Sequence, residues 1–550
     1  MSLKDAFDSA DAQGLRARLI GFCAALVFVG IAAKAGLVAL AGEPRVGGVS
    51  AAFEAPVRRA DIVDRNGELL ATSVTVYSLF ADPRAIWDPE DVAQTLGAVF
   101  DDIDVDALTA RLSNRERAFE WVRRGLTPRQ RQTVNTLGLE GLGFREESRR
   151  AYPRGTLAGH VLGYSGLDGN GLGGIEFALQ DRLAEGGAPV QLTLHSGVQF
   201  ALEAEIAAAA SEHDAEGGAG IVLHPRSGEI YAMASWPPID PNRASELPSD
   251  DPARLNRAVT AVYELGSVFK PLTVAAGIET GAVTPSDAFD VREPLVIRGA
   301  SIEDDHPVRG GRADLTDIIA DSSNIGTVKV AIMLGERRQR AFLESLGLFR
   351  RAPVELAGSA APLIPKDWDD LSSATVSFGH GMAVSPIAFV SAFGVLANGG
   401  ELAPPTLVMD ARTREPRRVL SAPTAALVVA MMREAVTRGT GERAEVAGYR
   451  VAGKTGTAEK PIPGGYAEDR NVTSFAAVFP ADGPEYVVFI VLDEPEAAEA
   501  GGMTAAWNAA PAAGRVIERI APILGVAPDF ESRSAPTPAV RSVADRRTSL

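Results

Sequence analysis

The chain has 550 residues, is 46% hydrophobic and only 6% aromatic, and carries a formal net charge of −17. That length exceeds one ordinary core and predicts two folded domains with appendages. The acidic balance removes the basic face a nucleic-acid binder needs, so no nucleic acid is expected as a partner.

The single cysteine, Cys23, excludes an intrachain disulfide and a cysteine-based metal site. The histidines (His160, His195, His213, His224, His306 and His380) form no metal-ligand pattern, so neither metal nor cofactor is expected. Basic residues are nearly all arginine, and the lysines are Lys4, Lys34, Lys270, Lys329, Lys366, Lys454 and Lys460. Each lysine is worth a question, because lysine can give up its proton in a protein and arginine cannot.

Residues 1–18 read as a polar leader. Leu19 to Ala33 is apolar without interruption and the pattern resumes after Lys34 to Ala41. As a helix, 19–41 would span a hydrocarbon core of about 30 Å. Arg16 and Arg18 before it predict a cytoplasmic N-terminus and an exported remainder. A cleavable signal peptide is the rival, given Ala39-Leu40-Ala41; a retained inner-membrane anchor fits the long apolar run better. Residues 42–57 read as a linker.

Arg58 to Ala71 predicts two strands joined by an Asn66-Gly67 turn, because both residues tolerate positive φ. Asp91 to Gly138 reads as helical, Arg149 to Gly174 as turn-rich, and 198–212 as an Ala-rich helix. Gly217 to Gly220 suggests a domain junction. A hairpin follows over Ile221 to Ala234, then helical patterns over Ser267 to Leu346 and Pro386 to Gly399. Strands are predicted at Tyr449 to Ala458, Thr473 to Phe479 and Tyr486 to Leu492, the last two as an antiparallel hairpin. A helix over Ala506 to Ile523 precedes a tail, 526–550, expected to be disordered.

Three short motifs stand in order: Ser267-Val268-Phe269-Lys270, Ser322-Ser323-Asn324 and Lys454-Thr455-Gly456-Thr457. Alone, each has an ordinary reading as a helix start, an N-cap or a turn. Their coincidence in this order argues for chemistry. Helical spacing puts the Ser267 hydroxyl and Lys270 amine on one face. An alcohol needs a base in reach, and lysine serves only if burial or positive neighbours depress its pKa. Ser322 would shuttle protons and Asn324 orient substrate. Lys454 would supply a cation for a substrate carboxylate, helped by the Thr455 and Thr457 hydroxyls, while Gly456 would let ligand approach the backbone. The N–H groups of Ser267 and Thr457 could form an oxyanion hole.

These three motifs resemble those shared by penicillin-binding proteins and active-site serine β-lactamases. Arg59-Ala60-Asp61 through Gly67, Arg150-Ala151-Tyr152-Pro153 through His160, and Gly173-Gly174-Ile175-Glu176 resemble the N-terminal signatures of class B penicillin-binding proteins. Ser235-Trp236-Pro237 and Phe378-Gly379-His380-Gly381 resemble segments of their transpeptidase domain. Tyr263 to Ser267 is most similar to the division-specific, FtsI-type branch, with the elongation-specific branch as the alternative.

The resemblance implies an α+β fold: an antiparallel sheet flanked by helices (217–525), preceded by an elongated mixed α/β module (58–216) and one transmembrane helix. It implies a peptidoglycan D,D-transpeptidase whose Ser267 attacks the penultimate D-Ala of a stem peptide, with Lys270 as base and Ser322 as relay. β-Lactams would be covalent inhibitors, and a SEDS-family glycan polymerase and other divisome proteins would be partners. Arg149 to Glu176 would tie the module to the catalytic domain through turns and a salt bridge. A β-lactamase, a β-lactam sensor, a D,D-carboxypeptidase and a non-catalytic scaffold are the rivals.

Overall fold

The computed structural model describes residues 58–410, 415–462, 465–496 and 503–530, together with Phe22, 25–32 and Lys34. Those last few are helical. The rest of the expected leader, anchor and linker lies outside the described residues, among which no helix is long and apolar enough to cross a membrane.

Residues from Val57 onward form one compact unit. It opens with β1 (Ile62–Val63) and β2 (Leu69–Ala81), antiparallel as the Asn-Gly turn predicts, with Gly67 at φ 84°. The Asp64 carboxylate accepts hydrogen bonds from the Asn66 and Glu68 N–H groups at 2.8 and 2.9 Å, which sets the turn.

Strand β2 is the hub of a five-stranded sheet. It pairs with β1, with β3 (Glu120–Leu126) and along its length with β4 (Leu142–Ala151), while β5 (Val190–Gln191) runs parallel to β1. Strand β3 corrects the helical reading of 91–138. Two helices, Pro89–Val99 and Val105–Leu112, precede it and a third, Pro128–Leu137, follows. Leu79, Leu96, Leu108, Leu112 and Leu126 meet in their shared core.

The second sheet has five antiparallel strands. In spatial order they are β8 (Ala452–Ile462), β9 (Gly465–Phe479), β10 (Tyr486–Asp493), β6 (Gly217–His224) and β7 (Glu229–Trp236). Strand β10, YVVFIVLD, is buried throughout because both faces of the sheet are covered. Phe475, Val488 and Ile490 pack on helices α1 (Ser196–Glu212) and α9 (Ala509–Ile523). Ala476, Phe489 and Val491, one residue out of phase, pack on the opposite face beneath helices from the middle of the chain. Each such phenylalanine contributes about 1.5–3 kcal/mol when fully buried.

The Gly217–Gly220 run, read as a domain junction, forms the first half of the interior strand β6. A Cβ on Gly220 would lie 2.6 Å from Ile206 Cδ1 and 2.9 Å from Leu202 Cδ1, so glycine lets α1 lie close to the sheet.

The helical reading of 267–346 holds only at its two ends. A 3-10 turn, Gly266–Phe269, leads into α2 (Lys270–Glu279), and α3 (Leu315–Ala320), α4 (Asn324–Leu334) and α5 (Glu336–Ser345) close the segment. Between them lie short strands at Ala288–Asp290, Leu295–Ile297, Ala300–Ile302 and Arg312–Asp314. Gly281, Pro285, Pro294, Gly299 and the Gly310-Gly311 pair break the helix there. Helices α6 (Asp370–Ser377), α7 (Pro386–Ala397) and α8 (Ala422–Thr437) follow.

Ties across the molecule exist, but ion pairs among them, such as Arg65–Glu229 (3.2 Å) and Arg182–Asp410 (2.8 Å), lie outside Arg149 to Glu176. Arg59, Arg150 and Glu176 bind one another within the N-terminal part. The links onward from that segment include hydrogen bonds from the Tyr152 N–H to Asn242 Oδ1 (3.0 Å) and between His160 Nε2 and the Ala253 carbonyl (2.8 Å). At the far end, 526–530 are not a free tail, since the Asp529 N–H donates to the Gly448 carbonyl at 2.7 Å. Residues 531–550 lie outside the described residues.

Candidate active site

Ser267 sits in the 3-10 turn and Lys270 at its end, one residue before Pro271. Proline is tolerated because the first turn of α2 needs no N–H donor there. Gly266 has φ 62°, and a Cβ on it would come within 2.6 Å of the Thr457 carbonyl. On the other side of the same contact, a Cβ on Gly456 would lie 2.2 Å from the Leu265 carbonyl. The two glycines thus let the nucleophile turn and edge strand β8 approach backbone to backbone.

Ser322 is delivered by the turn between α3 and α4, in the left-handed region at φ 63°. For a non-glycine residue that conformation is uncommon and costs energy that the surroundings must supply. They do so through Asp304, whose carboxylate accepts from Ser323 Oγ at 2.8 Å and from the Ile325 N–H at 2.9 Å. Ser323 also caps α4, accepting from the Gly326 N–H at 2.9 Å. Asn324 donates its amide to the Glu303 carbonyl at 2.9 Å, which leaves its Oδ1 free to accept.

Both lysines are fully buried and both reach Ser322. Lys270 Nζ donates to the Ser322 carbonyl and lies 3.1 Å from its Oγ. Lys454 Nζ lies 3.0 Å from the same Oγ, with Thr455 O at 3.1 Å, Thr455 Oγ1 at 3.2 Å and Thr440 Oγ1 at 3.4 Å as further acceptors. Lys270 is thus bonded to Ser322; no hydrogen bond to Ser267, its expected partner, is found among the described residues.

Burial pulls the Lys270 ammonium down to about 7, against a smaller upward push from Asp305 and Asp304. Lys454 is lowered well below the ordinary lysine value by burial and then by Lys270. Burial and Lys270 also hold His380 at about 4, so its imidazole is neutral.

A cleft of about 1080 Å³ runs over these groups. Ser267, Ser322, Asn324, Thr455 and Thr457 line it, while both ammonium groups lie behind its wall. Between the Lys454 ammonium and the cleft stand the Ser322 and Thr455 hydroxyls, both within hydrogen-bond reach of it. Thr457 Oγ1 accepts from the Ala505 N–H at 3.1 Å, which leaves its proton free to point elsewhere.

Sequence reasoning missed four participants. Thr440 touches Lys454 and Thr455; its only signal is two flanking glycines. Asp304 and Asp305 act on the lysines from a loop with no motif. Glu264 is buried beside the nucleophile turn, its carboxyl raised first by desolvation, and Tyr466 Oη donates to it at 3.1 Å.

An antiparallel sheet between helices, a serine at a helix start and two buried lysines converging on a second serine define the class of active-site serine transpeptidases. The chain belongs to the penicillin-binding protein transpeptidase family: that domain matches residues 218–514, and the penicillin-binding protein dimerisation domain matches 54–170. It is 44% identical over 523 residues to a probable peptidoglycan D,D-transpeptidase FtsI of Caulobacter vibrioides, covering 92% of this chain and 87% of that protein. It is 32% identical over 476 residues to a probable peptidoglycan D,D-transpeptidase PenA of Neisseria gonorrhoeae, covering 80% and 81%. Among solved structures, penicillin binding protein 3 of Mycobacterium tuberculosis complexed with aztreonam is similar at TM-score 0.67 and 26% identity, covering 86% of this chain and 97% of that one.

Proposed function

We propose that this protein is an FtsI-type peptidoglycan D,D-transpeptidase that cross-links stem peptides in septal wall synthesis. The observation that carries the reading is the convergence of Lys270 and Lys454 on the Ser322 hydroxyl, in a cleft that also exposes Ser267.

Ser267 Oγ attacks the carbonyl carbon of the penultimate D-Ala, and its proton passes to Lys270. An amine near pKa 7 is matched to that task at neutral pH. The N–H groups of Ser267 and Thr457, brought together by the Gly266–Thr457 approach, stabilise the oxyanion. Collapse breaks the peptide bond, and Ser322 delivers a proton from the lysine pair to the departing D-Ala amine. The acyl-enzyme then loses its acyl group to an amine of a neighbouring strand, with the protons moving back. Asn324 orients the peptide, and Thr455 and Thr457, backed by Lys454, hold the terminal carboxylate. Residues 217–525 carry this chemistry and 58–216 serve as its pedestal. Residues 19–41 anchor the chain in the inner membrane with the catalytic part outside, where a SEDS-family polymerase is the expected partner.

Labelled benzylpenicillin tests the nucleophile: wild type is covalently labelled at Ser267 and Ser267→Ala is not. Labelling that persists in the variant refutes the assignment. Incubation with two stem peptides then separates the activities. A cross-linked dimer supports transpeptidation, whereas release of D-Ala without dimer makes the protein a carboxypeptidase.

A further inference from the structure

Helix α8 ends at Thr437, and the four residues after it, Arg438 to Gly441, dock on the turn that presents Ser322. Arg438 pairs with Asp317 at 3.0 Å, and the Thr440 N–H donates to the Ala320 carbonyl at 3.2 Å. A Cβ on Gly439 would lie 2.3 Å from that same carbonyl, so glycine permits the approach. The Thr440 side chain then reaches the other wall. Its Oγ1 lies 2.7 Å from Thr455 Oγ1 and 3.4 Å from Lys454 Nζ. Thr440 therefore joins the Ser322 turn, through its backbone, to the Lys454-Thr455 strand, through its hydroxyl.

A threonine hydroxyl has one proton to donate and two lone pairs. As an ammonium, Lys454 Nζ donates to Thr440, which leaves the Thr440 proton for Thr455 Oγ1. Thr455, already an acceptor from both Thr440 and Lys454, has its own proton turned toward the cleft it lines. Successive hydrogen bonds in a chain of this kind polarise one another.

We propose that Thr440 is a positioning residue whose hydroxyl relays the Lys454 charge to Thr455 and fixes the Thr455 proton toward the carboxylate of the donor ligand. This rests on the transpeptidase reading above. Without the Thr440 proton, Thr455 is free to turn its own proton onto another acceptor, and the cleft loses a directed donor while Ser267 and Lys270 stay in place.

The test compares acylation by benzylpenicillin and by its methyl ester, which lacks the anionic carboxylate. The proteins are wild type, Thr440→Val, Thr440→Ala and Thr440→Ser in the full chain, with thermal melts alongside. Loss of a hydrogen-bond donor to a charged group predicts that Val and Ala lower the acylation rate for the acid by about tenfold to a hundredfold. The ester rate should stay near wild type, and Ser should restore the acid rate. Alanine leaves no misfitting methyl group, so it keeps the test alive if valine does not fold. An unchanged acid rate in Val or Ala, an equal fall for acid and ester, or a Ser variant as slow as Val overturns the relay. A wild type that is not acylated at Ser267 overturns the transpeptidase reading itself; an acylated wild type with unaffected Thr440 variants overturns the relay alone.

Discussion

Two buried triads in this molecule hold charge in opposite ways. In the N-terminal part, Arg59 and Arg150 grip Glu176, which is fully buried, with contacts of 2.8 and 2.5 Å. Further arginine donors go to the Gly169 and Ala60 carbonyls at 2.6 and 2.8 Å, while Arg150 Nη2 is buried without a hydrogen-bond partner among the described residues. In the cleft wall, Lys270 and Lys454 flank Ser322, a neutral hydroxyl. The first triad has a carboxylate at its centre, fixed cations and planar forks, so it can only hold shape. The second has no anion at its centre, so burial weakens the hold of both lysines on their protons. In a chain whose bases are mostly arginine, both buried cations of the cleft wall are lysines.

The largest effect expected from this contrast is on acylation. Lys270→Met should lower the rate with benzylpenicillin by about a thousandfold, within the range for losing a general base. It should also change the pH dependence of stability. Between about 7 and the ordinary lysine value the folded wild type holds fewer protons at Lys270 than the unfolded chain, so stability rises with pH across that window. The variant should lose that slope in denaturation measured at several pH values.

Next comes Glu176→Gln, which leaves two buried arginines without their anion. We expect a loss of about 3–5 kcal/mol in chemical denaturation, with acylation per folded molecule unchanged. A large fall in acylation there would mean the two triads are coupled. Asp305→Asn should be milder. Asp305 raises Lys270, so its removal should move the acid limb of the acylation profile to lower pH. The exposed pair Arg182–Asp410 should matter least, with Arg182→Ala within about 0.5 kcal/mol of wild type.

Much of this site was readable because its chemistry lies in short, local patterns. A serine and lysine three residues apart, a glycine between threonines and an Asn-Gly turn each carry their meaning within one turn of chain. What stayed hidden depends on distant partners. Strand β3, with the sequence EWVRRGL, is charged enough to pass for helix and is a strand only because β2 offers an edge. The glycines of β6 read as a junction because the helix crossing them is not visible in the local sequence. Thr440 lies 15 residues before Thr455 in a stretch with no motif, and only folding brings their hydroxyls to 2.7 Å.

The central claim is that Lys270 works because it can lose its proton. The direct measurement is the acylation rate with benzylpenicillin from pH 5.5 to pH 9 for wild type and Lys270→Arg. Wild type should rise through a single proton step near the value of about 7 set by burial, and the arginine variant should stay at the floor throughout. A flat wild-type profile, or an arginine variant that acylates at the wild-type rate, would contradict it.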